Sequence, residues 1–235
     1  MNKTESWVET RIGLPAEQPE AWETVAYRLA NHEILLARPR DPDQLLDDPA
    51  VQAQSKRTDY MPYWAYLWPG ACLLANQVLS ETWPAGTRTI EIGCGLGLAG
   101  VAGLVAGLHV TFSDYSPAAL ALAAHNARLN GFERFETQLV DWKCPPAEDY
   151  ELVLGADVLY ENRCLEDVIR VLDRMLAPSG KAILADPNRS VADNFESLAR
   201  SRLYRVSCEP IQVESLLGRL ISGRIFRLQK TSDGR

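Results

Sequence analysis

No two of the five cysteines (Cys72, Cys94, Cys144, Cys164 and Cys208) make a C-x-x-C pair. An odd number of widely spaced thiols excludes a disulfide framework and points to a reduced, cytoplasmic protein. The three histidines (His32, His109 and His125) lack metal-ligand spacing, so no metal is expected. Cations are also short: 24 Lys and Arg against 31 Asp and Glu leave a net charge of −7. Phosphate binding draws on clustered Lys and Arg, which argues against a nucleic-acid partner. The first residues, Met1 to Arg11, have no apolar stretch, and a secretory signal is not expected. One run, Ile92 to Ser113, goes 22 residues without a charge and invites reading as a membrane span. Six of those residues are glycine, and Glu91 and Asp114 bound the run without a basic flank. A buried strand–helix–strand unit is expected there, and no membrane partner. What remains is ordinary: 235 residues, 46% hydrophobic and 8% aromatic, enough for one large domain or two small ones.

Residues 1–60 differ from the rest. Val25, Tyr27 and Leu29 alternate with polar or small neighbours, Asn31 and His32 interrupt, and Ile34 to Ala37 resume an apolar run. That pattern predicts a β-hairpin. Pro39, Pro42 and Pro49 among four aspartates predict a turn-rich connector. With too few apolar positions for a core of its own, this stretch reads as an N-terminal extension. The main domain is then 61–230, with 231–235 as a tail.

From Tyr60 onward, strands and helices alternate. Pro69 opens a helix over Ala71 to Leu79, and strands are expected at Thr89–Ile92, Leu108–Phe112, Phe135–Val140, Leu152–Ala156 and Lys181–Ala185. Helices are expected at Leu98–Ala106, from Ser116–Pro117 to Asn130–Gly131, and from Leu165 to Pro178–Ser179–Gly180. Another spans Asn194–Arg202. The segments Tyr204–Cys208 and Arg219–Leu228 have no helix-length connection, so they should pair antiparallel. The sum is an open, doubly wound α/β sheet, mostly parallel, closed by a hairpin.

Strand one ends Glu91-Ile-Gly93-Cys-Gly95-Leu-Gly97, and a helix follows. Such glycines let backbone approach a ligand closely. Gly95-x-Gly97-x-x-Gly100 matches the dinucleotide fingerprint, a weak signal taken alone. Glu91 would be an unwelcome neighbour for a pyrophosphate, so a cationic, phosphate-free cofactor fits better. S-adenosylmethionine is one. Asp114, closing the second strand, is placed to accept ribose hydroxyls. Asp141 and Trp142, closing the third, offer an acceptor for the adenine amine and a surface for its ring. Acids at the carboxyl ends of successive strands lie where open α/β sheets bind ligands.

These residues resemble the class I, seven-strand methyltransferases with their Rossmann-like fold. More narrowly the chain is similar to the DxxY protein-lysine methyltransferases (methyltransferase family 16) and their bacterial relatives. The matching stretches are Pro62-Tyr-Trp-Ala-Tyr-Leu-Trp68-Pro-Gly-Ala, the glycine motif from Glu91, Ser113-Asp-Tyr-Ser, Asp141-Trp, and Gly155-Ala-Asp157-Val-Leu-Tyr160-Glu, within Pro62 to Leu228. The resemblance implies that Trp68, Gly93, Gly95, Gly97, Asp114, Trp142 and Ala156 line the cofactor. It implies that Asp157 and Tyr160 face the methyl acceptor. Asp186-Pro-Asn-Arg189 and the N-terminal extension depart from the family's pattern and bear on substrate choice. Val158 and Leu159 stand where a D-P-P-Y enzyme has prolines, which weighs against a DNA-base acceptor.

On this reading Asp157 aims an amine and Tyr160 relays a hydrogen bond. Tyr63, Trp64 and Tyr66 wall the acceptor channel or belong to an interior aromatic belt. Arg189 is a surface arginine or a channel contact for acidic substrate residues. The leading function is methylation of a protein lysine or N-terminal amine. A small-molecule amine methyltransferase, a cofactor-binding scaffold without turnover and an NAD-dependent dehydrogenase remain as alternatives.

Overall fold

A computed structural model describes residues 21–47, 61–214 and 220–231. The expected boundary at residue 60, the start of the extension and nearly all of the tail fall outside those residues.

The first described elements form an antiparallel pair, β1 (Trp22–Leu29) and β2 (His32–Pro39), with Leu29 facing His32 across the turn. Ala30 and Asn31 in that turn both have positive φ, 43° and 68°, as a tight two-residue hairpin requires. A lone hairpin is marginal in water. This one is fixed from outside. Ile34, Leu36 and Ala37 are buried in the main core. Two asparagines of a later helix dock on β2 as a strand would. Asn126 accepts from the Ala37 N–H (2.8 Å) and donates to its carbonyl (3.1 Å). Asn130 does the same at Leu35, at 2.9 and 2.7 Å.

The central sheet has the order β5-β4-β3-β6-β7-β9-β8, made by Arg88–Ile92 (β3), His109–Asp114 (β4), Glu136–Leu139 (β5), Tyr150–Ala156 (β6), Leu176–Asp186 (β7), Tyr204–Glu214 (β8) and Leu220–Lys230 (β9). Strands β3 to β7 run parallel; β9 is antiparallel to both of its neighbours. One face carries α1 (Pro69–Ser80), α2 (Leu98–Val105), α3 (Pro117–Leu129) and the hairpin. The other carries α4 (Asn162–Met175) and α5 (Phe195–Ser201). Period-two burial follows: Leu152 and Leu154 of β6 point to the first core, Val153 to the second. The uncharged run is indeed the end of β3, the eight-residue α2 and most of β4. Among the described residues no helix is long and apolar enough to cross a membrane.

Two local expectations are corrected. The Ser116 hydroxyl makes no cap to α3; the Asp114 carboxylate takes the Ser116 N–H instead, at 2.9 Å. Helix α4 stops at Met175, before Pro178. Leu176 already pairs with Tyr150 while Lys181 pairs with Leu152, so Pro178–Ser179–Gly180 loops out of the ladder as a bulge. The C-terminal hairpin forms as expected but longer, with each strand 11 residues.

Candidate functional site

The carboxyl ends of β3, β4 and β6 and the loop after β7 open into a cleft of about 670 Å³. Its lining includes every candidate named from the sequence, from Tyr63, Trp64, Tyr66 and Trp68 through Glu91 and the three glycines to Arg189. Among the described residues no group of His, Cys, Asp or Glu could hold a metal ion.

The glycine turn leaves β3 with Gly93, Gly95 and Gly97 at φ of 60°, 51° and 79°. Glycine takes these angles without the Cβ penalty that other residues incur. Space is short as well: a Cβ on Gly97 would sit 2.7 Å from that of Ala123 on α3, and one on Gly93 would meet the Trp142 ring at 2.9 Å. Trp142 therefore lies over the turn and forms a wall of the cleft. The turn is closed by the Gly97 N–H donating to the Cys94 carbonyl (2.7 Å) and the Cys94 N–H to the Ser113 carbonyl (2.9 Å).

Two carboxylates hold this turn from below. Glu91 is 2% exposed, and its Oε2 accepts from the Gly100 N–H at the start of α2, at 2.9 Å. Asp114 accepts from the Gly95 N–H (3.0 Å) with Oδ2 and from the Ser116 N–H with Oδ1. Two N–H groups of the turn and helix start, those of Gly95 and Gly100, are thus taken by acidic side chains and are not free for a pyrophosphate. The donor set fits a cationic, phosphate-free ligand. Asp141 is exposed at the rim, its Oδ1 accepting from the Lys143 N–H at 2.9 Å. Ala156 ends β6, half-buried in the cleft wall.

Burial pushes the Glu91 pKa up to about 8, the nearby Asp114 charge adding to the rise and the Gly100 N–H opposing it. Such a group favours folding fully below its ordinary range. That contribution is lost as pH rises from about 4.5 through 8, because the unfolded chain releases the proton first. Glu91→Gln should therefore flatten the fall in melting temperature between pH 5.5 and 8.5 in ligand-free protein. Parallel curves for the two proteins would show that Glu91 is ionised throughout.

The acceptor side differs most from expectation. Asp157 follows β6 in the left-handed region (φ 58°), its N–H bound to the Ala185 carbonyl at 3.0 Å. Its carboxylate does not project freely into the cleft. Oδ1 lies 2.6 Å from Arg189 Nη1, and Oδ2 rests against Gly70, where a Cβ would come within 2.4 Å of it. Burial raises the Asp157 pKa, while Arg189 and the Gly70 N–H in the first turn of α1 pull it back. Arg189 is accordingly not a surface arginine. Its backbone N–H donates to Asp186 Oδ1 at 2.8 Å, and Arg224 Nη2 donates to its carbonyl at 2.7 Å. The guanidinium also lies 5.8 Å from the Trp68 ring centroid.

Around this pair stands an aromatic rim. Tyr63 meets Trp68 and Tyr160 edge-on, with centroids 6.1 and 6.0 Å apart. Trp68 Nε1 donates to the Tyr63 carbonyl at 2.8 Å. Burial raises the Tyr160 pKa, and the neighbouring Cys164 thiol adds to the rise. Trp64 is buried in the first core cluster and also lines the cleft. The Tyr66 hydroxyl donates to Asp43, tying the rim to the 3₁₀ turn Pro42–Asp47. Sequence reasoning missed Gly70, Cys164, Met61 and Tyr115, all near or in this wall. Two of them stood inside stretches singled out from the sequence: Gly70 in the Trp68 motif and Tyr115 in Ser113-Asp-Tyr-Ser.

A parallel sheet with β9 inserted antiparallel beside β7, and a glycine turn backed by acids, define a class I methyltransferase. The chain matches the lysine methyltransferase family over residues 65–199, more than half its length, and it belongs to that family of S-adenosylmethionine-dependent enzymes. It is 24% identical to the electron transfer flavoprotein beta subunit lysine methyltransferase of Danio rerio, over 63% of this chain and 67% of that protein. It is 29% identical to the histidine protein methyltransferase 1 homolog of Dictyostelium discoideum, over 51% of this chain and 41% of that one. The chain thus spans from under half to about two thirds of these relatives' lengths. In fold it resembles the magnesium protoporphyrin IX methyltransferase of Synechocystis, solved with bound S-adenosylmethionine: TM-score 0.57, 15% identity, 81% of this chain and 98% of that one.

Proposed function

We propose that this cleft methylates an amine of a protein substrate, with lysine as the acceptor. Asp114 would hold the ribose of the cofactor and Asp141 and Trp142 its adenine, with Gly93, Gly95, Gly97, Trp68 and Ala156 as the walls around it. Glu91 acts from beneath by fixing the turn to α2. When bound, S-adenosylmethionine supplies a methyl on sulfonium: the acceptor nitrogen's lone pair forms the new N–C bond, and the C–S pair stays on sulfur. The protein's part is to orient a neutral amine in line, since free lysine at pKa about 10.4 is otherwise protonated. Asp157 accepts an N–H of the incoming amine, and Tyr160 borders its path.

The observation that carries a protein acceptor is the rim. Tyr63, Tyr115 and Tyr160 are 44%, 58% and 38% exposed beside the cleft, with Met61 and Trp68 next to them. An exposed aromatic cluster of Tyr63, Trp68 and Tyr160 at an open mouth suits docking of a macromolecule, and aromatic faces suit a cationic side chain on approach. Five free cysteines suit a reducing, cytoplasmic setting.

Labelled S-adenosylmethionine, incubated with the protein, a cell lysate and a pool of metabolites, should place label on lysine of a discrete protein. Label on small amines alone would transfer the assignment to a small-molecule enzyme, and label on histidine would change the acceptor. In a melting assay, S-adenosylmethionine at 100 times its dissociation constant should add about 2.7 kcal/mol of apparent stability, and NAD none. The reverse pattern would remove the cofactor assignment.

A further inference from the structure

We propose that Arg189 is a positioning residue for methyl transfer: it keeps the buried Asp157 ionised and aimed, so that the carboxylate accepts from the acceptor amine. This rests on the amine-acceptor function above. The geometry is that of a built support. Asp157 leaves β6 in a left-handed conformation, which sets its side chain against the first turn of α1 and the loop after β7. Almost all of its surface is withdrawn from water, so an unsupported carboxylate there would take up a proton. A protonated Asp157 would present a hydroxyl donor where the amine needs an acceptor.

Arg189 is itself held in place. Asp186, fully buried at the end of β7, takes its backbone N–H and lies 3.4 Å from its Nη1. Arg224 of β9 clamps the same loop, its Nε 3.3 Å from Asp186, its Nη1 2.6 Å from Asp193, and its Nη2 on the Arg189 carbonyl. Trp68 packs near the guanidinium from the α1 side. The groups facing Asp157 are therefore the Gly70 N–H and the Cys72 thiol from α1, Arg189 from the loop, and Asp186 from β7. Of these only Arg189 is a cation. Asp186 opposes it, and Cys72 is held neutral by burial. Removing Arg189 leaves the Gly70 N–H as the one group favouring ionised Asp157.

Two readouts test this on the full chain. In cofactor-free protein, the Asp157 carboxyl carbon is followed by NMR through a pH titration and assigned by its loss in Asp157→Asn. Its midpoint should rise by about one unit or more in Arg189→Gln, as expected when an opposite charge at this distance is removed. It should stay near the wild-type value in Arg189→Lys. Arg189→Met, which keeps the stem against Trp68, should behave as Gln does and serves if the Gln variant does not fold. Initial rates of label transfer to lysate protein, measured against pH, should show the acid limb of Gln and Met moving up with the carboxyl midpoint. Lys should restore it. An unmoved midpoint in Gln and Met, or a limb that stays put while melting temperature falls, overturns the proposal and leaves Arg189 a structural brace. If wild type labels no amine at any pH, the proposed function fails, while the titration still decides what Arg189 does to Asp157.

Discussion

Asp157→Asn should lower turnover by about 10²–10³ while leaving cofactor affinity within a few-fold of wild type. Loss of one well-placed charged bond in the transition state is of that size. The substitution is unusually clean. Asparagine tolerates the left-handed backbone that Asp157 adopts at φ 58°, so the loop after β6 is not strained by the change. What changes is chemistry. An amide carries no charge, so the ion pair with Arg189 at 2.6 Å is lost, and in place of one carboxylate oxygen its NH₂ presents a donor. The amide oxygen must serve Arg189, and its NH₂ then meets either α1 or the incoming amine. If Asp157 only anchors Arg189 and its loop, the variant should melt earlier yet turn over normally at saturating donor. Calorimetry with the adenosyl cofactor and a melting curve on the same sample separate those outcomes. Near-wild-type methylation would mean that the Asp157-x-x-Tyr160 pair is not the acceptor machinery.

The cofactor side was more legible in the sequence than the acceptor side, for a physical reason. Strand, turn and helix N-terminus are local. Acids at or beside the strand ends, Glu91, Asp114 and Asp141, mark where β3, β4 and β5 stop, and a Gly-x-Gly-x-Gly turn allows few backbone paths. The parallel order then brings those ends together without further information. The acceptor side depends on contacts that no local pattern encodes. Arg189 reaches Asp157 across 32 positions because β6 and β7 are neighbours, and its own placement needs Arg224, another 35 positions on. Read alone, it resembled any surface arginine. Trp64 lies within two residues of Tyr63 and Tyr66, yet a single 3₁₀ turn, Tyr63–Ala65, sends it into the core while they face the rim. The hairpin was visible as alternation. Its clamp was not, because Asn126 and Asn130 look like ordinary late-helix polar residues until β2 is laid beside them. Helix α4 also ended earlier than its Pro-Ser-Gly suggested: Leu176 found a ladder partner in Tyr150, and pairing outcompeted another turn of helix.

Asp114→Ala should weaken the adenosyl cofactor at least tenfold and also lower stability. In the structure this carboxylate has two structural bonds before any ligand arrives, to the Gly95 and Ser116 N–H groups at 3.0 and 2.9 Å. The Ser116 donor is buried and the Gly95 donor partly so, and Asp114 itself is only 9% exposed. Alanine leaves them without an acceptor, at roughly 1–3 kcal/mol for each that water does not reach. The turn that α2 and Trp142 close around should loosen in consequence, since Gly95 loses its tether. Cofactor affinity falls twice over: through the lost acceptor for the ribose hydroxyls, and through the ordering that binding must now supply. Asp114→Asn divides these effects. Its amide oxygen keeps one of the two N–H bonds, so the melting temperature should lie between those of wild type and Ala. The ribose contact loses its charge, worth about 1.5–3 kcal/mol to a hydroxyl donor, so affinity should still drop about tenfold or more. Calorimetric titration of the three proteins, each with a melting curve, supplies the comparison. Should Asn bind as wild type does while Ala binds weakly and melts early, Asp114 acts on the cofactor only through the turn. The ribose acceptor would then have to be sought among the other acids lining the cleft.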